Sequence, residues 1–227
     1  TQNWRLVTTQ KFRDVSAWFH LLINVDTTQG TAANRMSMYI NGVKVTAFDN
    51  EDYPTLNGEG GTNNNSLQSI GRDATNSDNY LDAYLAEVHF IDGQALDPTS
   101  FGETGTYGEW KPIEVTGMTY GTNGFYLDFG NTGTKHTITV QGDVQHTTSP
   151  KKIGDSSIHF LHNGGTADIL KLSSYPSDLV FSGDFTYEFW AYKDDTSSSG
   201  AVFGNNESGY GVPCQWRMMS TGNMSIH

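Results

Sequence analysis

Apolar side chains recur at every second position over residues 80–92 and again over 18–26, the period of a strand with one dry face. In the first stretch Tyr84, Ala86, Val88 and Phe90 form an all-apolar set that should meet a core, with Ala83, Leu85, Glu87, His89 and Ile91 opposite. In the second, Phe19, Leu21, Ile23 and Val25 share one face; Trp18, His20, Leu22 and Asn24 share the other. Residues 35–46 read as a hairpin turning at Asn41-Gly42, a dipeptide that tolerates the positive φ angles of a type I′ turn. Met36, Met38 and Ile40 then share a face, with Val43 and Val45 across the turn.

The polar intervals predict the connections. Residues 49–65 read as a long loop and 72–79 as a short one, with a strand at 67–71 between them. After Gly93, the pair Asp97-Pro98 places a capping residue before proline and predicts one short helical turn. Residues 102–124 are rich in Gly and Thr, yet Trp110 and Tyr120, followed by Phe125 and Tyr126, predict a strap packed on a sheet. Residues 131–152 lack large apolar groups and are expected to be a linker between 1–130 and 153–227. Beyond them, 157–161, 169–173, 185–192 and 201–204 read as strands, with Gly164-Gly165 as a hairpin turn. A final hairpin is expected from 216–219 and 223–226 around Thr221-Gly222. The fold class is therefore all-β, an antiparallel β-sandwich.

Composition narrows the function classes. The net charge of −12, from 25 acidic and 13 scattered basic residues, disfavours nucleic acid and anionic membranes as partners. No apolar run approaches the roughly 20 residues of a membrane-spanning helix, so no membrane insertion is expected. The single Cys214 excludes an internal disulfide and a thiolate zinc cluster. The opening Thr1-Gln-Asn-Trp-Arg is neither a signal peptide nor an initiator methionine, and the chain reads as a mature or excised piece.

Two sets of residues carry a resemblance. Trp18-Phe-His20, then Met38-Tyr-Ile-Asn41-Gly42, Ile70-Gly71 and the segment 80–89 resemble the second half of a laminin G-type domain of the concanavalin A-like lectin/glucanase superfamily, a jelly roll. Ser157-Ile-His-Phe160 and Gly183-Asp-Phe-Thr-Tyr-Glu-Phe-Trp190 resemble the first half of such a domain. The wording of 87–103 and of 120–129 resembles virion structural and tail-fibre proteins of phages, marine ones especially. The resemblance implies a chain out of phase with its domain repeat: two partial sandwiches, or two halves that complete one permuted sandwich.

It also implies a role: a non-enzymatic virion module, made in the host cytoplasm and carried on a tail or other appendage, that binds host surface glycans for attachment. The partners would be those glycans or other virion proteins, with a homotrimer as one assembly. Sugar recognition needs aromatic faces and loop amides, and Tyr53, Asn57, Asn63, Asn64 and Asn65 are the candidates. Asp73, Asn76 and Asp78 crowd side-chain oxygens into one loop and are the candidate Ca2+ ligands, although a polar hairpin loop needs no ion. Two other roles stay open, a structural spacer and a glycoside hydrolase. For the hydrolase, Asp184 and Glu188 share a strand face, but Thr186 stands where the alternating acids of the glucanases would place another. His20 reads as a hydrogen-bonded structural histidine, and His89 with Glu87 as a solvent-facing pair. His159 and His162 are isolated in sequence from any set of metal ligands.

Overall fold

The computed structural model describes residues 4–60, 67–72, 80–129, 138–161, 168–172, 183–194, 198–206 and 215–226. In chain order its strands begin with β1 (Arg5–Thr8), β2 (Trp18–Val25), β3 (Met36–Ile40), β4 (Val43–Lys44), β5 (Phe48–Asp52) and β6 (Leu67–Ile70). The middle of the chain adds β7 (Ala83–Asp92), β8 (Gly102–Thr104), β9 (Trp110–Pro112), β10 (Phe125–Leu127), β11 (Ile138–Gln141) and β12 (Gln145–Thr147). The last third adds β13 (Ser157–Phe160), β14 (Ile169–Leu172), β15 (Phe185–Lys193), β16 (Gly200–Asn206), β17 (Gln215–Met218) and β18 (Met224–Ile226). Helix among the described residues is limited to short 3-10 turns such as Ala32–Asn34 and Pro98–Ser100, the latter at the expected Asp97-Pro98 start. No helix there is long and apolar enough to cross a membrane.

Two large antiparallel sheets pack as a sandwich. Sheet I runs β11-β14-β6-β16-β17-β18-β1-β5; sheet II runs β12-β13-β7-β15-β2-β3-β4, with β10 also paired to β7. Strands from the two ends of the chain alternate in both: β15 lies between β7 and β2, β16 between β6 and β17, and β18 beside β1. The stretch 131–152, expected to be a linker, carries β11 and β12, each at one end of a sheet. The expected loop 49–65 likewise begins inside β5, which closes the other end of sheet I. All three are short and largely exposed, the character of sheet edges, with only Phe48 and Ile138 packed against the core.

The core lies between the sheets. From sheet II come Phe19, Leu21, Ile23 and Val25 of β2 with Met36, Met38 and Ile40 of β3, as alternation predicts. Asn41 and Gly42 adopt φ of 49° and 77°, so the turn joining β3 to β4 has the left-handed backbone that its sequence announces. From sheet I come Leu6, Ile70, Met218, Met224 and Ile226. Aromatic rings join the layers: Tyr187 of sheet II meets Trp216 at 4.0 Å and Phe203 at 5.1 Å, and Phe90 packs edge-on to Tyr187 at 5.4 Å. Such pairs contribute about 0.5–1.5 kcal/mol each beyond their buried area.

One strand departs from strict alternation. In β7, Ala83 and Leu85 join the core with Val88 and Phe90, a change of phase between Leu85 and Val88. Opposite β15 the register slips there: Ala86 faces Trp190 while His89 faces Glu188, so β7 holds one residue more than its partner. The extra residue, Glu87, has φ +52°, the left-handed conformation found in one kind of β-bulge. Tyr84 and Ala86, expected in the core, therefore lie on the outer face with His89 and Ile91.

Tyr187 is fully buried and its hydroxyl makes no hydrogen bond. An orphaned buried hydroxyl costs about 1–3 kcal/mol. Tyr187→Phe keeps the ring and removes that cost. It should stabilise the chain by about 1 kcal/mol, which for this size of domain is a rise of about 2–4 °C in Tm, readable by calorimetry.

Candidate functional site

The outer face of sheet II is built from four cross-strand rows. His159, Tyr84, Tyr192 and Trp18 stand opposite one another on β13, β7, β15 and β2. Next come Ala86, Trp190 and His20, then Tyr126, His89, Glu188, Leu22 and Tyr39, and last Ile91, Thr186, Asn24 and Ser37. Cross-strand neighbours of this kind lie within side-chain reach of each other.

The strap over 93–124 covers the last three rows. It is tied at its start by Thr186, whose Oγ1 accepts from Leu96 N at 2.6 Å and donates to Gln94 O at 2.7 Å, and by Asn24 Nδ2 donating to Leu96 O at 3.1 Å. Phe101 packs on Leu22 and Ile91, with Val115, Met118 and Tyr120 against them. Trp110 lies across Gly42 and Gly102, where any side chain would collide with its ring, and sits 5.6 Å from the His20 ring. Lys152 places its ammonium 4.5 Å over Trp190.

Beneath this cover is a polar group of three. Glu188, 1% exposed, sits with Oε1 2.9 Å from His20 Nε2 and Oε2 3.8 Å from His89 Nε2, neither aligned as a hydrogen bond. His89 Nδ1 meets Tyr120 Oη at 2.7 Å, and the Tyr126 hydroxyl donates to Glu87. Burial drives each group to its neutral form. Both imidazoles are pushed down to about 3 by burial, the His20 ring adding to this at His89. Burial, then Glu87, holds the Glu188 carboxyl well above the usual carboxylate range. His89 is thus enclosed, where the sequence suggested a solvent-facing pair with Glu87; the strap supplies the difference.

At one end of the same face Asp184 is pushed up to about 6, first by burial and then by the nearby Asp26, with which it shares a proton. Asp26 is held low because hydrogen bonds from Thr28 and Gln29, with that of Asp184, outweigh its own burial. Asp184, immediately before β15, and Glu188 within it are four residues apart, about 13 Å in extended chain.

The first row remains half-buried rather than covered. Its ring centroids are 4.0 Å apart for His159 and Tyr84, stacked at 8°, and 5.6 Å for Tyr84 to Tyr192 and for Tyr192 to Trp18. Four strands at ~4.8 Å spacing make a row about 14 Å long. Asp82 and Asp194 lie beside its His159 end.

Of the sugar-binding residues proposed from sequence, Tyr53 packs against the inter-sheet core and donates to Glu51 Oε2 at 2.9 Å, while Asn57 is exposed with φ 54°. Tyr53 thus lies just past β5 of sheet I, against the core and not on the outer face that carries the row. Asn63, Asn64, Asn65 and the calcium candidates Asp73, Asn76 and Asp78, like the Gly164-Gly165 turn, lie outside the described residues. The row itself escaped sequence reasoning. Its signal was partial: alternation put Trp18 beside His20 on the more polar side of β2, and Trp190 and Tyr192 share one parity in β15. Comparison with models of protein families, with curated proteins and with solved structures gives no match.

The polar group predicts a pH profile. Between about pH 6.5 and 3 the unfolded chain protonates His20 and His89 while the folded chain does not, so these two lose stability as pH falls. Glu188 acts oppositely, because the folded chain keeps a proton that the unfolded chain releases above about pH 4.5. His89→Gln should therefore reduce the slope of unfolding free energy against pH over about pH 4–6 by about 1.4 kcal/mol per unit, measured by denaturant titration. Independently, Asp26→Asn should return the Asp184 carboxyl from about 6 toward the ordinary aspartate range, as followed by carboxyl-carbon NMR.

Proposed function

We propose that this chain is a non-enzymatic β-sandwich module of a phage appendage that adheres to host surface glycans through the row Trp18, Tyr192, Tyr84 and His159. The observation that carries the reading is that row: aromatic side chains left half-exposed side by side on a face that is otherwise covered. Aromatic rings bury the apolar faces of sugar rings, and a length of about 14 Å suits an extended chain of two or three sugar units better than a single ring. Carboxylates at one end, Asp82 and Asp194, offer acceptors for hydroxyl groups. The virion context is supported by the likeness of 87–103 and 120–129 to phage structural proteins.

Binding is favoured over hydrolysis by the carboxyl groups. A glycosidase needs two of them about 5–9.5 Å apart around the scissile bond. Asp184, immediately before β15, and Glu188 within it are farther apart than that, and Glu188 is sealed beneath the strap with no route for a sugar.

A glycan array followed by calorimetry tests the assignment. Trp18→Ala and Tyr192→Ala should each weaken binding about tenfold, equivalent to about 1.4 kcal/mol, while Tyr53→Ala leaves it unchanged. Full affinity in both row variants would remove the site from this face. An array without any hit would leave the spacer role in its place.

A further inference from the structure

We infer that Asp82, His159 and Asp194 form a binding site for a divalent transition-metal cation of the zinc class. The three come from separate parts of the chain: Asp82 immediately precedes β7, His159 is in the middle of β13, and Asp194 immediately follows β15. Pairing of β13 and β15 on either side of β7 brings them together, and one ligand atom from each lies within 4.8 Å of the other two. Nothing in the sequence spacing announces the set, because sheet register alone assembles it.

The chemistry of the three groups selects the ion. Imidazole nitrogen with two carboxylate oxygens is a mixed donor set suited to zinc and its neighbours, whereas calcium and magnesium take oxygen ligands. Around a tetrahedral ion with bonds of about 2.1 Å the ligand atoms sit roughly 3.5 Å apart. His159 Nε2 and Asp194 Oδ2 already stand 3.5 Å apart. The Nε2 atom is buried and makes no hydrogen bond, so its approach to an ion breaks none. The imidazole plane is fixed by stacking on Tyr84 at 4.0 Å, and the Asp194 amide donates to Asp82 O at 3.4 Å, which holds the two carboxylate-bearing backbones together. Two carboxylates this close repel, and a divalent cation cancels that repulsion. Asp194, 44% exposed, leaves the site open to entry from solvent, and the remaining coordination positions go to water.

An ion here would fasten the ends of β7 and β15 to β13 at the edge of the aromatic row. The site shares His159, Asp82 and Asp194 with the proposed sugar-binding face, but its test needs no glycan and so can fail or succeed independently of that reading. Calorimetric titration of the full chain with ZnCl2 near neutral pH should show one Zn2+ bound per chain, and Tm should rise with Zn2+ concentration by mass action. His159→Gln and Asp194→Asn should each weaken binding at least about tenfold and abolish the rise in Tm. His146→Gln, which removes a different histidine on β12, should leave both unchanged. Lack of Zn2+ binding, binding that survives both substitutions, or tighter binding of Ca2+ than of Zn2+ would overturn the assignment. If His159→Gln fails to fold, Asp194→Asn decides alone, because its exposed carboxylate can be neutralised without disturbing the core.

Discussion

The extra residue in β7 is the constraint on which the outer face depends. Tyr84 and His89 are five positions apart, and in an uninterrupted strand an odd separation puts two side chains on opposite faces. With Glu87 set into the left-handed region the phase shifts once, and Tyr84 reaches the aromatic row while His89 reaches Glu188 on the same side. The core gains equally, since Leu85 before the bulge and Val88 and Phe90 after it all point inward. A left-handed non-glycine residue costs about 1–2 kcal/mol. That cost is offset by keeping both halves of the strand correctly buried.

The same face explains why ionisable groups can be interred in this sandwich. Sheet II carries apolar groups inward and a mixed set outward, and the strap from 93 to 124 closes over three of the four outward rows. Its rings cover His20, His89 and Glu188, its backbone is fastened by Thr186 and Asn24, and its Trp110 fits only because Gly42 and Gly102 lack side chains. Enclosure then favours the neutral form of all three groups, two neutral imidazoles around a carboxyl that holds its proton more tightly than in water. A buried trio without net charge avoids most of the desolvation penalty of separated ions.

Much of the fold was legible in the sequence because burial on one face leaves a period of two. β2, β3 and the hairpin turn at Asn41-Gly42 follow from it directly, as do β6, β13, β15 and the hairpin of β17 and β18. β7 was found as a strand but misread in phase at its start, since a bulge adds a residue without altering composition. β5, β11 and β12 were passed over because a short, largely exposed edge strand holds too few core-facing apolar residues, one each in β5 (Phe48) and β11 (Ile138), to mark a strand. The candidate site was hardly legible. Its members share no segment of sequence, and only pairing across β13, β7, β15 and β2 brings them into register. The loops that sequence favoured are rich in amides and carboxylates, but composition alone cannot say where such groups converge.

The order of strands in sheet II has a consequence for biogenesis. Among the described strands of that sheet β15 is the last to be synthesised, yet it occupies the middle, bonded to β7 on one side and β2 on the other. Until it emerges, two long apolar strands have open hydrogen-bonding edges facing each other across a gap. Nascent chains are then exposed to mispairing with one another, and closure of distant segments slows the final step. Synthesis of this polypeptide therefore favours conditions that shield incomplete sheets, such as a bound chaperone or low local chain density, until the central ribbon slots in.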